Sequence, residues 1–155
     1  MIYFRHLAVL SVVDDQIQRL VKVVEKTERE TIIIFQSDNG ANSENGCNYP
    51  YRGGKSNADE GGTLSPTFVY RTHQPFSVTR TSNLLHIVDW FPTILAFANI
   101  TAPSGLDGVN QVDMFYEENV TPARENLIYA WQDKYVVNSS IDHGDWALSD
   151  LTKGG

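Results

Sequence analysis

Thr31-Ile32-Ile33-Ile34-Phe35-Gln36-Ser37-Asp38-Asn39-Gly40 is the stretch on which the fold turns. Its first five residues are β-branched or aromatic with no polar alternation, the pattern of a strand buried on both faces inside a parallel sheet. A polar cluster closes the run. Ligands of open α/β sheets bind beyond the carboxyl ends of the strands, so Asp38 and Asn39 stand where a site forms. Carboxylate and amide oxygens suit a hard cation such as calcium. Asp-Asn-Gly is equally an ordinary turn, because Asn and Gly tolerate positive φ and Asp bonds its own backbone. Further on, Tyr51-Arg52-Gly53-Gly54-Lys55 places two cations on a flexible backbone. Such a pair can meet an anion, or simply be a solvated loop.

The order of these pieces is more specific than any one of them. Thr31 to Gly40, then Arg52-Gly53-Gly54-Lys55, then Glu60-Gly61-Gly62, resembles the sulfatase family, in particular its arylsulfatase B type. The resemblance implies an α/β fold, part of an alkaline-phosphatase-like sandwich with a mostly parallel sheet flanked by helices, followed by the start of a small antiparallel sheet. It implies that Asp38 and Asn39 are Ca2+ ligands, that Lys55 contacts the sulfate, and that Arg52 is a weaker substrate contact. Residues 1–112 would then be the later part of the α/β domain, and 113–155 the opening of an incomplete carboxyl-terminal subdomain.

Working outward, Leu10, Val13, Ile17, Leu20, Val21 and Val24 recur at helical spacing, the stripe of a helix that covers a sheet. The apolar run from Leu7 to Val13 stops at Asp14 and Asp15 without a small-residue cleavage site, so a helix is expected there rather than a removable signal. In sulfatases a similar helix precedes this strand, and a chain opening directly on it looks truncated. No run approaches the length of a membrane span. With 155 residues, 41% hydrophobic and 20% charged, the chain is long enough for one compact domain. A net charge of -7 argues against a nucleic-acid partner, which needs a basic stripe. An anionic substrate would have to be drawn by local cations.

The loop from Ala41 to Tyr49 holds the single cysteine, Cys47, so no intrachain disulfide can form. Cys47-Asn48-Tyr49-Pro50-Tyr51-Arg52 comes within one residue of the sulfatase signature Cys-x-Pro-x-Arg, whose cysteine becomes formylglycine. The proline is one position late, and in the family that signature lies well before this strand. Cys47 is therefore expected to be an incidental loop thiol. A second strand is expected at Thr67 to Tyr70, after Pro66. Ser82 or Asn83 can cap a helix carrying Leu84, Ile87, Val88 and Phe91, with a break or a new first turn near Phe91 because of Pro92. His86 and Asp89, three apart on that helix, are expected to share a surface hydrogen bond rather than do chemistry. His73 and His143 are expected in loops. Leu127 to Trp131, Tyr135 to Val137 and Trp146 to Leu148 read as short antiparallel strands.

Three glycosylation sequons begin at Asn99, Asn119 and Asn138, the second weakened by Pro122 just after it. They support a lysosomal or secreted route. The expected partner is a sulfate-ester small molecule or a sulfated glycan. The modified cysteine, the earlier acidic metal ligands and the catalytic histidines of the family have no counterpart here, so the chain alone is expected to be inactive. Two readings stand beside this one: a phosphate-ester hydrolase of the same superfamily, and a non-catalytic sulfatase relative.

Overall fold

The isoleucine run forms strand β1 (Ile32–Gln36), and Thr67–Arg71 forms β2. The structure, a computed structural model, describes residues 2–127 except 43 and 45. The other elements are helix α1 (Ile2–Val24), a single helical turn α2 (Glu60–Thr63), a 3-10 turn (Ile87–Asp89), helix α3 (Trp90–Phe97) and a second 3-10 turn (Val112–Phe115). The chain forms two compact units that divide between Pro75 and Phe76. The strands expected beyond Leu127, His143 and Asn138 lie outside the described residues.

In the first unit β1 and β2 pair antiparallel, with Ile34 opposite Val69 and Phe35 opposite Phe68. The two phenyl rings stack at 5.0 Å, a cross-strand aromatic pair that fixes the register. Ser37 N donates to Pro66 O (3.0 Å) at one end and Thr72 N to Thr31 O (3.0 Å) at the other. The hydroxyl of buried Thr72 accepts from Thr31 N at 2.8 Å, closing the ribbon where the ladder runs out. This corrects two expectations. No parallel pairing occurs among the described residues, because the chain returns to β1 as a hairpin-like ribbon through β2. Every residue of β1 is half-buried rather than buried, since β2 is the one element touching it among those described.

Helix α1 has the expected stripe, but it is half-buried only at Ile17, Val21 and Val24. Phe4 is 78% exposed, and Leu7, Leu10, Val12 and Val23 are exposed with it. Thr27 Oγ1 donates to Val24 O (2.7 Å) and ends the helix. Tyr70 Oη donates to the Glu25 carboxylate at 2.6 Å, and that bond to an anion, with burial and the Glu25 charge, raises the phenol above its ordinary pKa.

The second unit packs Trp90, Met114, Phe115 and Leu127 into a small core. Phe76 lies against Phe97, Phe115 and Tyr116 with ring centroids 5.2 to 5.4 Å apart. Pro92 occupies the first turn of α3, where a missing N–H costs nothing, as Pro92 led one to expect. The helix expected from Leu84 does not form. Leu84 O accepts from Gln111 Nε2 (3.1 Å) and His86 N donates to Asp89 Oδ2 (2.9 Å), so side chains take the backbone groups that a helix would pair.

Candidate functional site

Strand β1 delivers Ser37 to Gly40 to the edge of a glycine-rich junction. Gly40 N donates to Gly62 O (2.9 Å), and Gly61 N to Arg52 O (2.8 Å). The backbones are in direct contact. A Cβ on Gly40 would lie 1.8 Å from Gly61 O, one on Gly61 would lie 2.4 Å from Gly53 O, and one on Gly62 would lie 2.4 Å from Gly54 O. Gly53 also has φ +78°, a conformation that side-chain-bearing residues rarely adopt. The three glycine-bearing pieces of the sequence, distant along the chain, are thus knitted into one cluster.

Lys55 joins that cluster through its backbone: Lys55 N donates to Ala41 O at 3.0 Å. Ala41 follows directly on Asn39-Gly40, so the lysine loop and the strand tip are bonded neighbours. Lys55 and Asp38 are exposed, and Asn39 is half-buried. Ser37 Oγ donates to Asn39 O (2.9 Å), while Asn39 Nδ2 donates to Gly40 O (2.8 Å). With its nitrogen engaged, the Asn39 amide keeps its oxygen as the acceptor available to a ligand. The turn reading of Asp38-Asn39-Gly40 is thus visible in its hydrogen bonds.

Arg52 directs its Nε and Nη2 to Asp59 Oδ1 at 3.2 and 2.7 Å. This fork ties the front of the lysine loop to the residue before α2, although the Arg52 side chain as a whole is 73% exposed. Gly54 N donates to Asn57 Oδ1 (3.1 Å) and Asn57 N to Gly54 O (3.1 Å), closing the turn around Lys55. Asn48 braces the far side, accepting from Ala41 N and donating to Gly53 O. No sequence pattern points to Asp59 or Asn48, since each is one polar residue among many in a polar loop. Cys47 is free and exposed.

An oxygen-seeking cation fits the donors in kind: a carboxylate at Asp38 and an amide oxygen at Asn39. Calcium takes about six to eight oxygens, so these two supply only part of a shell. Among the described residues no cluster of three or more His, Cys, Asp or Glu is placed to hold a metal.

His86 and Asp89 do have a structural role, but not at a helix surface. Asp89 is fully buried. Its two oxygens accept from Arg124 Nη2 (2.6 Å), Arg124 Nε (2.8 Å), Val109 N (2.9 Å) and His86 N (2.9 Å). Arg124 lies 35 residues away and no pattern in the sequence points to it. Burial pushes the Asp89 carboxyl up, but the Arg124 hydrogen bonds, the two backbone N–H groups and the Arg124 charge outweigh it and hold the group below its ordinary value. Asn99, at the end of α3 with φ 55°, and Asn119 are both exposed.

Comparisons with known proteins show the family to which these residues belong. A family model described as Sulfatase matches residues 3–100. Mouse arylsulfatase J is 30% identical over 148 residues, covering 92% of this chain and 24% of that protein. Human N-acetylgalactosamine-6-sulfatase is 31% identical over 107 residues, covering 63% of this chain and 20% of that protein. A sulfatase of Escherichia coli K12, YdeN, is 30% identical over 125 residues, 76% of this chain and 22% of that protein. The chain spans between a fifth and a quarter of the length of these relatives. With more than half of its residues matched, and the strand tip, the lysine loop and the glycine junction all inside the match, the chain belongs to the sulfatase family.

Proposed function

We propose that this chain carries one wall of a sulfuric-ester hydrolase site of arylsulfatase type. Lys55 contacts the sulfate, and Asp38 and Asn39 contribute two oxygens to a calcium ion. The observation that carries this reading is the glycine junction, which bonds the lysine loop to the strand tip through Lys55 N and Ala41 O. The ammonium of Lys55 offsets charge on the sulfate oxygens as the ester bond breaks. Arg52, engaged with Asp59, holds the loop in place and lends its charge at longer range. Calcium, when bound, acts as a Lewis acid toward a sulfate oxygen. Cys47, the one cysteine of these 155 residues, has proline at the wrong spacing for the formylglycine signature and takes no part as nucleophile in this reading.

The substrate is an aryl sulfate or the sulfated end of a glycan, and the route is lysosomal or secretory, consistent with exposed sequons at Asn99 and Asn119. No helix among the described residues is long and apolar enough to cross a membrane. An NMR titration of the chain tests the site. Sulfate is expected to shift Lys55, and calcium to shift Asp38 and Asn39, with Kd on the order of millimolar for so few ligands. Lys55→Ala and Asp38→Ala should abolish the respective response. Shifts confined to other residues, or unchanged in those variants, would overturn the assignment.

A further inference from the structure

We propose that Asn48 is a positioning residue of this site, a side chain that fixes the Lys55 loop against the strand tip; the inference rests on the sulfate-site reading above. Its carboxamide is matched to both segments at once. Oδ1 accepts from Ala41 N at 2.8 Å. Nδ2 donates to Ala41 O at 2.9 Å and to Gly53 O at 3.0 Å. One amide therefore saturates the backbone of Ala41, next to the Asn39-Gly40 step, and reaches the residue that opens Gly53-Gly54-Lys55. The Ala41 carbonyl is shared between Asn48 Nδ2 and Lys55 N, so losing the first partner loosens the anchor of the second.

The chemistry of the three bonds restricts the residue. An acceptor must face Ala41 N while two donors face carbonyl oxygens, which a planar carboxamide provides. An aspartate at this place would set oxygen against the oxygens of Ala41 and Gly53. Protonated, it would recover one donor. Asn48 does not touch substrate in this scheme and acts only through the loop.

The test uses the full chain with Asn48→Ala, Asn48→Asp and, as a control in the same unit, Tyr70→Phe, which loses only the Glu25 bond. Sulfate titration at Lys55 and hydrogen exchange of the Lys55 amide are followed together with the exchange of the β1–β2 amides. Asn48→Ala is expected to weaken the sulfate response about tenfold and to speed Lys55 exchange about tenfold, the size of one or two lost hydrogen bonds. The β1–β2 amides and Tyr70→Phe should match the wild type. Asn48→Asp should lose the response at neutral pH and regain part of it as pH falls through the carboxylate range, relative to wild type at each pH.

Unchanged Lys55 exchange in both Asn48 variants would overturn the proposal. So would equal loss of protection in β1 and β2, equal effects in Tyr70→Phe, or an Asn48→Asp response flat with pH. A wild-type chain in which sulfate leaves Lys55 unmoved would sink the sulfate reading instead, and the exchange measurement would still decide what Asn48 holds.

Discussion

Asp89 remains ionised without any exposed surface because every lone-pair direction of its carboxylate is met by an N–H, two of them from the Arg124 fork. Removing one partner strands the other. Arg124→Ala or Asp89→Ala should each cost about 3 to 5 kcal/mol, read from the urea midpoint of the Trp90 signal. The sign of the pH effect follows from the lowered pKa of Asp89. The group contributes stability that is complete above the unfolded carboxylate value of about 4 and is lost as pH falls through the folded value. Acid unfolding of the Trp90 signal should therefore begin below about pH 4, and Asp89→Asn should flatten that dependence; an unaltered acid limb would show that other carboxylates set it. Gly40 makes a steric prediction of its own. With Gly61 O only 1.8 Å from a new Cβ, both backbones must shift, so Gly40→Ala should cost about 1 to 3 kcal/mol and erase the sulfate response at Lys55.

At the level of elements, α1 sets an apolar stripe on the surface, with Leu7, Leu10 and Val23 exposed. Exposed apolar area of this kind drives association. Sedimentation at rising concentration should show self-association, and Leu7→Glu with Leu10→Glu should shift the chain toward monomer while β1–β2 exchange stays unchanged. The period of that helix was legible in the sequence because amphipathic spacing is local information, and so were both strands, bounded by turn residues. Strand direction was not legible. An unbroken isoleucine run is common to central parallel strands, and nothing local in Ile32 to Phe35 encodes β2 as its antiparallel partner. Leu84 to Asp89 shows the opposite failure. Helical spacing was present, but Gln111 and the Asp89 carboxylate, tertiary partners remote in sequence, claim the backbone groups. In the candidate site, Asp38 and Asn39 could be singled out by residue type at a strand end and Lys55 by its place in a motif that resembles the sulfatase family, whereas Asn48 and Asp59 acquire their hydrogen bonds only when the glycine segments meet.

For the molecule as a whole, two charge scales oppose each other. The chain carries a net charge of -7, yet the proposed ligand is an anion. Attraction must then be short-range and local to Lys55, with a contribution from Arg52 that Asp59 partly cancels. Screening acts strongly on exposed charges beyond a separation of about 8 Å at physiological salt. Sulfate affinity should accordingly fall only modestly between low and physiological ionic strength if direct contact with Lys55 dominates, and rise if repulsion by the net negative charge dominates, because salt screens that repulsion. On the proposed reading two oxygens would hold calcium weakly and one lysine would bind sulfate weakly, and neither interaction lowers a barrier unless a nucleophile stands beside it. The purified 155-residue chain should therefore give no turnover of an aryl sulfate or an aryl phosphate above a Lys55→Ala control, with or without millimolar calcium. Turnover that Lys55→Ala abolishes would mean that a nucleophile lies within these residues, and Cys47→Ala would then be the variant that identifies or eliminates the one cysteine.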